Sequence, residues 1–304
     1  MSLEKFEILL DEPSMQYRPG QRVSGKILIK ADKEVKCEEV TLVFKGQAHV
    51  RFTSGTGDDE DTFKDSEEFF NFQKHLIGDG ETEISIPPGD ELTFDFAFQL
   101  PSQPLPASFN GFHGKVEYVL KGEVKRSLWK WNLTTLQPIT ILAELNQEHV
   151  SEAKLPSEVK ISKTFGFCCC TSGPLLLHVR VPIRGCVSGE TIHFEVDVNN
   201  MSRKQIADLS AQICQKVKFT GKHLSREKTS SSHAYFNEIR RSKGVSPGDS
   251  ETWRDALVVP SVPPTNLGAG CRFIDVQYFI LVTTHAADLM AINPRALCPI
   301  VIGT

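Results

Sequence analysis

The sequence has no long hydrophobic run. Its longest apolar stretches, such as Phe279-Ile280-Leu281-Val282, fall far short of the roughly 20 residues that a membrane-spanning helix needs. Glu4, Glu7, Asp11 and Glu12 interrupt the N-terminal segment, so it does not read as a secretory leader. The expectation is a soluble, cytosolic chain. None of the eight cysteines forms a Cys-x-x-Cys pair, which removes the usual signals of a zinc ribbon or a redox dithiol. In the cytosol the thiols are expected to be free. Gly-x-Ser-x-Gly, His-Glu-x-x-His, Walker and Gly-x-Gly-x-x-Gly motifs are absent, and the nine histidines do not cluster at ligand spacing. The sequence therefore gives no catalytic residue, no metal site and no cofactor, and the expectation is a non-enzyme. Charge of one sign is also lacking. With 34 Lys and Arg against 38 Asp and Glu, the net charge of -4 argues against a broadly basic nucleic-acid binder.

A length of 304 residues points to two domains, and 40% hydrophobic residues are enough to build their cores. The charge is uneven: residues 1–150 carry 25 acidic and 16 basic residues, and residues 151–304 carry 13 and 18. Helix-period stretches are scarce, and period-two alternation dominates. Strands are expected at 25–30, 40–46, 92–98, 116–120, 192–198 and 274–278, with 207–216 also read as strand. Leu92, Phe94, Phe96 and Phe98 alternate with Thr93, Asp95 and Ala97, the pattern of a strand with one face on a core and one toward water. Pro87-Pro88-Gly89-Asp90 and Ser246-Pro247-Gly248-Asp249 read as turns. Two proline corners, at Pro101, Pro104 and Pro106 and at Pro260, Pro263 and Pro264, belong outside central strands. Ser54 to Glu68 reads as an acidic loop containing Asp58, Asp59, Glu60 and Asp61, and Ser225 to Lys243 as a serine-rich basic loop. The polar stretch from Glu144 to Ser157 is the best linker.

The chain repeats itself. Val23-Ser24-Gly25 recurs as Val187-Ser188-Gly189, each with a glycine upstream, Gly20 or Gly185. Pro88-Gly89-Asp90 recurs as Pro247-Gly248-Asp249, Pro101-Ser102-x-Pro104 as Pro260-Ser261-x-Pro263, and Tyr118 as Tyr278. The period is too long for a solenoid unit and fits two similar domains. Half-amphipathic strands with proline-rich turns bury their apolar faces best as two packed sheets, so an all-β tandem of two β-sandwiches is expected.

With these motifs in order, the chain resembles the core of the arrestin-domain-containing proteins, the alpha-arrestins. The resemblance covers essentially the whole chain. In the first half it rests on Tyr17-Arg18-Pro19-Gly20, Val23-Ser24-Gly25, Pro88-Gly89, Leu100-Pro101 through Pro106-Ala107-Ser108-Phe109, and Gly114 to Leu120. In the second half it rests on Ser172-Gly173-Pro174, Gly185, Gly189-Glu190, Asn200-Met201-Ser202 and Cys298-Pro299-Ile300-Val301-Ile302-Gly303-Thr304. The resemblance implies two tandem arrestin-like (immunoglobulin-like) β-sandwich domains, placed at 1–145 and 158–304 with a linker at 146–157. It implies a non-catalytic trafficking adaptor, without cofactor, at the plasma membrane and endosomes. Such an adaptor binds membrane receptors or transporters as cargo and recruits a HECT-type ubiquitin ligase through Pro-Pro-x-Tyr motifs in a tail. Neither Pro87-Pro88 nor Pro263-Pro264 continues as that motif, so the expectation is a shortened core or a tail-less form, monomeric or weakly dimeric. Alternatives are an arrestin-fold coat or sorting scaffold and a thiol-linked regulatory scaffold.

Two basic groups are candidate surfaces for phosphate or anionic phospholipid. The preferred one contains Lys216, Lys218, Lys222, Arg226, Lys228, Arg240 and Arg241, with His223 and Lys243 nearby; Lys216 and Lys218, two apart, share a strand face. The second contains Lys115, Lys121, Lys125, Arg126 and Lys130 beside Trp129 and Trp131. The triplet Cys168, Cys169 and Cys170 is a candidate for lipidation or thiol chemistry. On a strand its side chains would alternate between faces, a poor geometry for one tetrahedral metal. Nucleic acid is not expected as a partner, because neither stacking aromatics nor a recognition helix is evident.

Overall fold

Alternation in the sequence becomes strand throughout the computed structural model, which describes residues 3–57, 60–126, 130–165, 173–288 and 293–303. In chain order the first eleven strands are β1 (Leu3–Leu10), β2 (Gln16–Tyr17), β3 (Arg22–Ala31), β4 (Val35–Cys37), β5 (Glu39–Ser54), β6 (Asp61–Gly78), β7 (Ile84–Ile86), β8 (Glu91–Gln99), β9 (Phe109–Asn110), β10 (Gly114–Lys125) and β11 (Leu133–Ile141). Helix α1 (Gln147–Ala153) follows. Then come β12 (Ser157–Thr164), β13 (Pro174–Val181), β14 (Gly185–Val187), β15 (Thr191–Asn200), β16 (Ile206–His223), β17 (Arg226–Arg241), β18 (Ser250–Val258), β19 (Ile274–Ala286) and β20 (Arg295–Gly303). Helix α1 falls within the stretch expected to link the domains. It starts because the Asn146 side chain accepts a hydrogen bond from the His149 amide at 2.8 Å, and it buries no residue.

The chain divides into two units. The first holds residues 1–143, 219–229 and 269–273, and the second holds 144–218, 230–268 and 274–304. Each is built on the same plan. In the first unit one sheet runs β1-β3-β8 and the other β6-β5-β10-β11-β2, with the short β4-β7 pair beside them. In the second unit the corresponding orders are β13-β15-β18, extended by β12, and β17-β16-β19-β20-β14. The small strands β2 and β14 pair in parallel with β11 and β20, whereas the long strands pair antiparallel. Two sheets face each other in each unit, an all-β sandwich. Phe44 of β5 meets Phe98 of β8 at 5.7 Å between ring centroids, and Cys298 Sγ of β20 lies 3.4 Å from Ser157 Oγ of β12. Among the largest wholly buried side chains are Phe44, Phe63, Phe219, Ile27 and Leu120. Removing each from water contributes about 1.5–3 kcal/mol.

The duplication is visible in hydrogen bonds. Tyr118 donates its hydroxyl to the Pro106 carbonyl and Tyr278 donates to the Pro263 carbonyl, each at 2.7 Å, so each tyrosine ties its strand to its own proline corner. One part of the sequence alignment is corrected. Val23-Ser24-Gly25 lies inside β3, whereas Val187-Ser188-Gly189 precedes β15. The true counterpart of Gly189 is Gly20. Both have positive φ, 87° and 78°, and both turn the chain into a long strand. Their amides donate to the carbonyls of Val259 and Pro101. Only glycine takes that left-handed turn without a Cβ penalty.

Two expected loops are strands. Ser54 to Glu68 contains a short turn and then β6, whose register with β5 runs from Ser54↔Asp61 to Arg51↔Lys64 and beyond. Ser225 to Lys243 is mostly β17, which pairs with β16. Neither strand advertises itself. The alternation in β6 is acidic and is broken by a bulge at Phe69, because Gln47 faces Glu68 while Gly46 faces Phe70. The half-buried positions of β17 include Ser230, Ser232 and Ala234, too small and polar to look like a core face.

Candidate functional site

Strands β5 and β6 form a hairpin, and alternation fixes what each face carries. Phe52 and Phe63 point inward and stack at 5.7 Å. Their neighbours Arg51 and Lys64 point outward and stand directly opposite each other. Residues 219–229 belong to the same unit, and there Lys222 is the partner of Lys64 in the ladder. Three strands thus place Arg51, Lys64 and Lys222 side by side at one register. Gly221 makes the approach possible: a Cβ there would come within 3.1 Å of the Phe52 ring and of the Phe63 carbonyl carbon.

Around this row lies an open cleft of about 460 Å³, lined by Arg51, Thr62, Lys64, Lys222, His223 and Leu224. His223 is fixed on its rim. Its Nδ1 donates to the Thr62 carbonyl at 3.0 Å, and its Nε2 lies 3.4 Å from Asp61 Oδ1. Asp61 also takes Arg226 at 2.6 Å. Lys228 reaches Ser54 Oγ at 3.3 Å and sits 5.3 Å from the centroid of the Phe63 ring. Asp61 is therefore occupied by Arg226 and His223. Among the described residues, Arg51 and Lys64 have no acidic partner, and the ion pair of Lys222 with Glu227 is stretched to 4.0 Å.

The preferred basic group is divided between the two units. Lys222, Arg226 and Lys228 fall in the first unit, and Lys216, Lys218, Arg240 and Arg241 in the second. Arg240 pairs with Glu238 at 2.8 Å; Arg241 and Lys243 share Glu251, at 3.0 and 2.5 Å. Lys216 and Lys218 point to one face of β16, as their spacing requires, without an ion pair among the described residues. Arg51 and Lys64 stand apart from both basic clusters of the sequence. The turn around Gly55 and Gly57 would have brought them together had Asp61 to Glu68 been read as strand.

Three lysines of the second basic group are neutralised where they stand. Lys115, Lys121 and Lys125 share one face of β10, but Lys115 pairs with Glu117 at 2.6 Å, Lys121 with Glu123, and Lys125 with Glu38 at 3.1 Å. Burial works against ionisation of Glu117, yet hydrogen bonds from Lys115 and Gln47 hold its carboxyl below the usual carboxylate range. The Arg126 amide donates to Asn132 Oδ1, Lys130 and Trp131 are exposed, and Trp129 lies outside the described residues. So do Asp58, Asp59, Cys168, Cys169 and Cys170, while Glu60 is exposed in the hairpin turn and Asp61 begins β6.

Four of the five described thiols offer little chemistry; the fifth, Cys271, is half-buried. Cys37, Cys186, Cys214 and Cys298 are buried, and burial raises the pKa of each, that of Cys186 to about 12. Among the described residues no group of three or more His, Cys, Asp or Glu is placed to hold a metal ion. A second cleft of about 560 Å³ lies on the outer face of β12, β13, β15 and β18. Its charges are largely mutual: Glu158 accepts from His178 at 2.8 Å, and Arg180 bridges to Asp197 at 2.7 Å and to Glu195.

Comparison with known proteins matches residues 6–148 to the family described as arrestin (or S-antigen), N-terminal domain, and residues 171–304 to arrestin (or S-antigen), C-terminal domain. Arrestin domain-containing protein 17 of Caenorhabditis elegans is 27% identical over 100% of this chain and 71% of its own length. Human arrestin domain-containing protein 1 is 23% identical over 96% of this chain and 64% of its own length. Human thioredoxin-interacting protein is 23% identical over 92% of this chain and 70% of its own length. The chain thus spans about two thirds of the length of these relatives.

Proposed function

Because the chain belongs to the arrestin-domain family, with both the N-terminal and the C-terminal domain present in order, we propose that it is a non-catalytic trafficking adaptor. It binds membrane receptors or transporters as cargo from the cytoplasmic side, peripherally at the plasma membrane and endosomes. In the complete protein it links that cargo to a HECT-type ubiquitin ligase, so that cargo is ubiquitinated, internalised and sorted. The observation that carries this reading is the match of both halves to one family, on a scaffold that repeats one sandwich topology twice. A β-sandwich with long hairpins presents wide surfaces rather than a closed reaction chamber, which suits recognition of a protein partner. The thiol-linked alternative gains nothing from the four buried cysteines, whose raised pKa values disfavour thiolate.

The test is genetic and quantitative. Cells lacking the gene are compared with wild-type cells for surface abundance and ubiquitination of membrane transporters and receptors. The adaptor reading expects a small set of cargoes that accumulate at the surface and lose ubiquitin, with both effects reversed by the full-length protein. An unchanged surface proteome and unchanged cargo ubiquitination would refute it.

A further inference from the structure

Like charges directly opposite in a β-ladder repel, and sheets normally avoid or alternate them. Strand β10 shows the usual solution, because Lys115, Glu117, Lys121 and Glu123 lie on one face and neutralise one another. The row Arg51, Lys64 and Lys222 breaks that rule twice. Arg51 faces Lys64 across one strand pair, and Lys64 faces Lys222 across the next. Nearby Asp61 turns to Arg226 and His223 instead. Three cations therefore converge on one cleft with, among the described residues, at most a 4.0 Å contact to a carboxylate. Such an arrangement costs stability unless an anion fills it.

We propose that this cleft is a binding site for a phosphomonoester headgroup of an anionic membrane lipid. A phosphomonoester carries about -1.5 to -2 charges near neutral pH and offers three acceptor oxygens, one for each cation of the row. A phosphodiester carries a single charge and matches the row less well. The lipid source follows from the apolar rim. Leu224, on the wall of the cleft, is 89% exposed, and it sits at the hairpin tip with φ of 51°. Phe112 is 84% exposed, and it is tied to the same edge by a chain of rings. Its neighbour His113 packs on Phe52, Phe52 on Phe63, and Phe63 on His223. The His113 carbonyl also accepts from the Arg51 amide at 2.7 Å. Bulky apolar side chains beside cations suit the interface of an anionic bilayer, where the ring or branch enters the acyl boundary and the cations meet headgroups. A soluble phosphate or a phosphorylated peptide gives Leu224 no reason to be bare. The site goes beyond the adaptor reading and does not depend on cargo or ligase.

The full chain is mixed with phosphatidylcholine vesicles that are plain, doped with phosphatidylserine, or doped with a phosphatidylinositol phosphate, and the bound fraction is measured by co-sedimentation. Binding is expected to favour the phosphomonoester lipid. Arg51→Gln, Lys64→Gln and Lys222→Gln should each weaken it about fivefold, and the triple variant by about a hundredfold. Leu224→Ser should weaken vesicle binding while leaving binding of a soluble inositol phosphate unchanged. Because the row repels itself, Lys64→Gln should keep or raise the thermal midpoint in the absence of lipid, which separates a lost site from a lost fold. The proposal is overturned if the triple variant binds like the wild type, if phosphatidylserine substitutes fully, or if Lys64→Gln lowers the midpoint. A phosphorylated peptide that binds through the row when vesicles do not would overturn the lipid assignment. None of these outcomes bears on cargo ubiquitination, so the two readings can fail separately.

Discussion

Asn200 is the most demanding polar residue in the second sandwich. It is wholly buried at the end of β15. Its Nδ2 donates to the carbonyls of Lys204 at 2.8 Å and Val245 at 3.0 Å. Its Oδ1 accepts from the Ser202 amide at 3.2 Å and the Ser202 hydroxyl at 2.6 Å. The backbone of Asn200 closes the same corner, accepting from Gly248 and donating to Asp249. Asn200→Ala removes the oxygen that accepts from the Ser202 amide and hydroxyl, and leaves those two buried donors without it. The Val245 carbonyl keeps its bond from the Ile206 amide, so it is not orphaned. At about 1–3 kcal/mol for each unsatisfied buried group, the expected loss is about 3 kcal/mol. Asn200→Asp sharpens the test. It has the same shape but turns a carboxylate toward two carbonyl oxygens, so its folded pKa must rise above the unfolded value of about 3.9. The sign follows. Below the unfolded pKa both states are protonated and the electrostatic cost is absent. As the pH rises toward the folded pKa, the unfolded state ionises first and stability falls by about 1.4 kcal/mol per pH unit. The assay is urea unfolding followed by tryptophan fluorescence. Trp253 is buried in the second unit, so in a background that carries Trp129→Phe and Trp131→Phe the change in emission reports the unit that carries the substitution. A loss under about 0.5 kcal/mol for Asn200→Ala, or a pH-independent deficit for Asn200→Asp, would refute the reasoning.

The two tyrosine corners give a paired prediction. Tyr118→Phe and Tyr278→Phe should each cost about 1 kcal/mol by chemical denaturation. Tyr278→Phe has the larger effect because Gln215 also loses its acceptor, and an equal or negligible loss at both sites would refute the assignment. Gly46→Ala should destabilise the first unit by about 1–3 kcal/mol, measured as a lowered thermal midpoint, because its Cβ would come within 2.7 Å of the rings of Phe70 and Tyr118. Cys37, Cys186, Cys214 and Cys298 should resist a thiol reagent in the native protein at mildly alkaline pH and react on unfolding. Rapid native labelling at any of them, located by mass spectrometry, would contradict their burial.

Much of the fold was legible because its strands announce themselves in period two. Leu92, Phe94, Phe96 and Phe98 face inward along β8 while Thr93, Asp95 and Ala97 are exposed, as the alternation requires. What escaped reading shares one physical cause. In β6 the inner face between Phe63 and Phe70 is occupied by Asp65 and Glu67, half-buried rather than apolar, and the bulge at Phe69 then moves the pattern to the opposite parity. Period-two analysis sees only polar residues followed by a phase error. The repeat is visible in local matches, but the two Val-Ser-Gly triplets agree in letters and not in structural position. The conserved requirement is a positive φ two residues before a strand, met by Gly20 and Gly189 in different surroundings. The row of cations is hidden for a related reason: Arg51 and Lys222 are far apart in the sequence and meet only through Lys64.

That contrast separates what the fold requires from what it merely permits. A sandwich needs its inner faces apolar and its corners turned, and Tyr118 and Tyr278 hold equivalent corners in the two units. It makes no demand on the charge of an outward position. Where charge accumulates on an outward face of the first sandwich, β10 cancels Lys115 and Lys121 with its own Glu117 and Glu123, and Lys125 pairs with Glu38. Three residue pairs in from the hairpin end, the same sheet leaves three cations facing one another, although Asp61 lies a few residues off and is turned to Arg226 instead. Packing does not require that row, because Phe52, Phe63 and Gly221 satisfy the interior beneath it. Folding alone would favour replacing Lys64 with a neutral residue, since doing so relieves two repulsions and breaks no ion pair among the described residues. The row is therefore best explained by something outside the chain, and the sign and number of its charges describe that partner more narrowly than the family does.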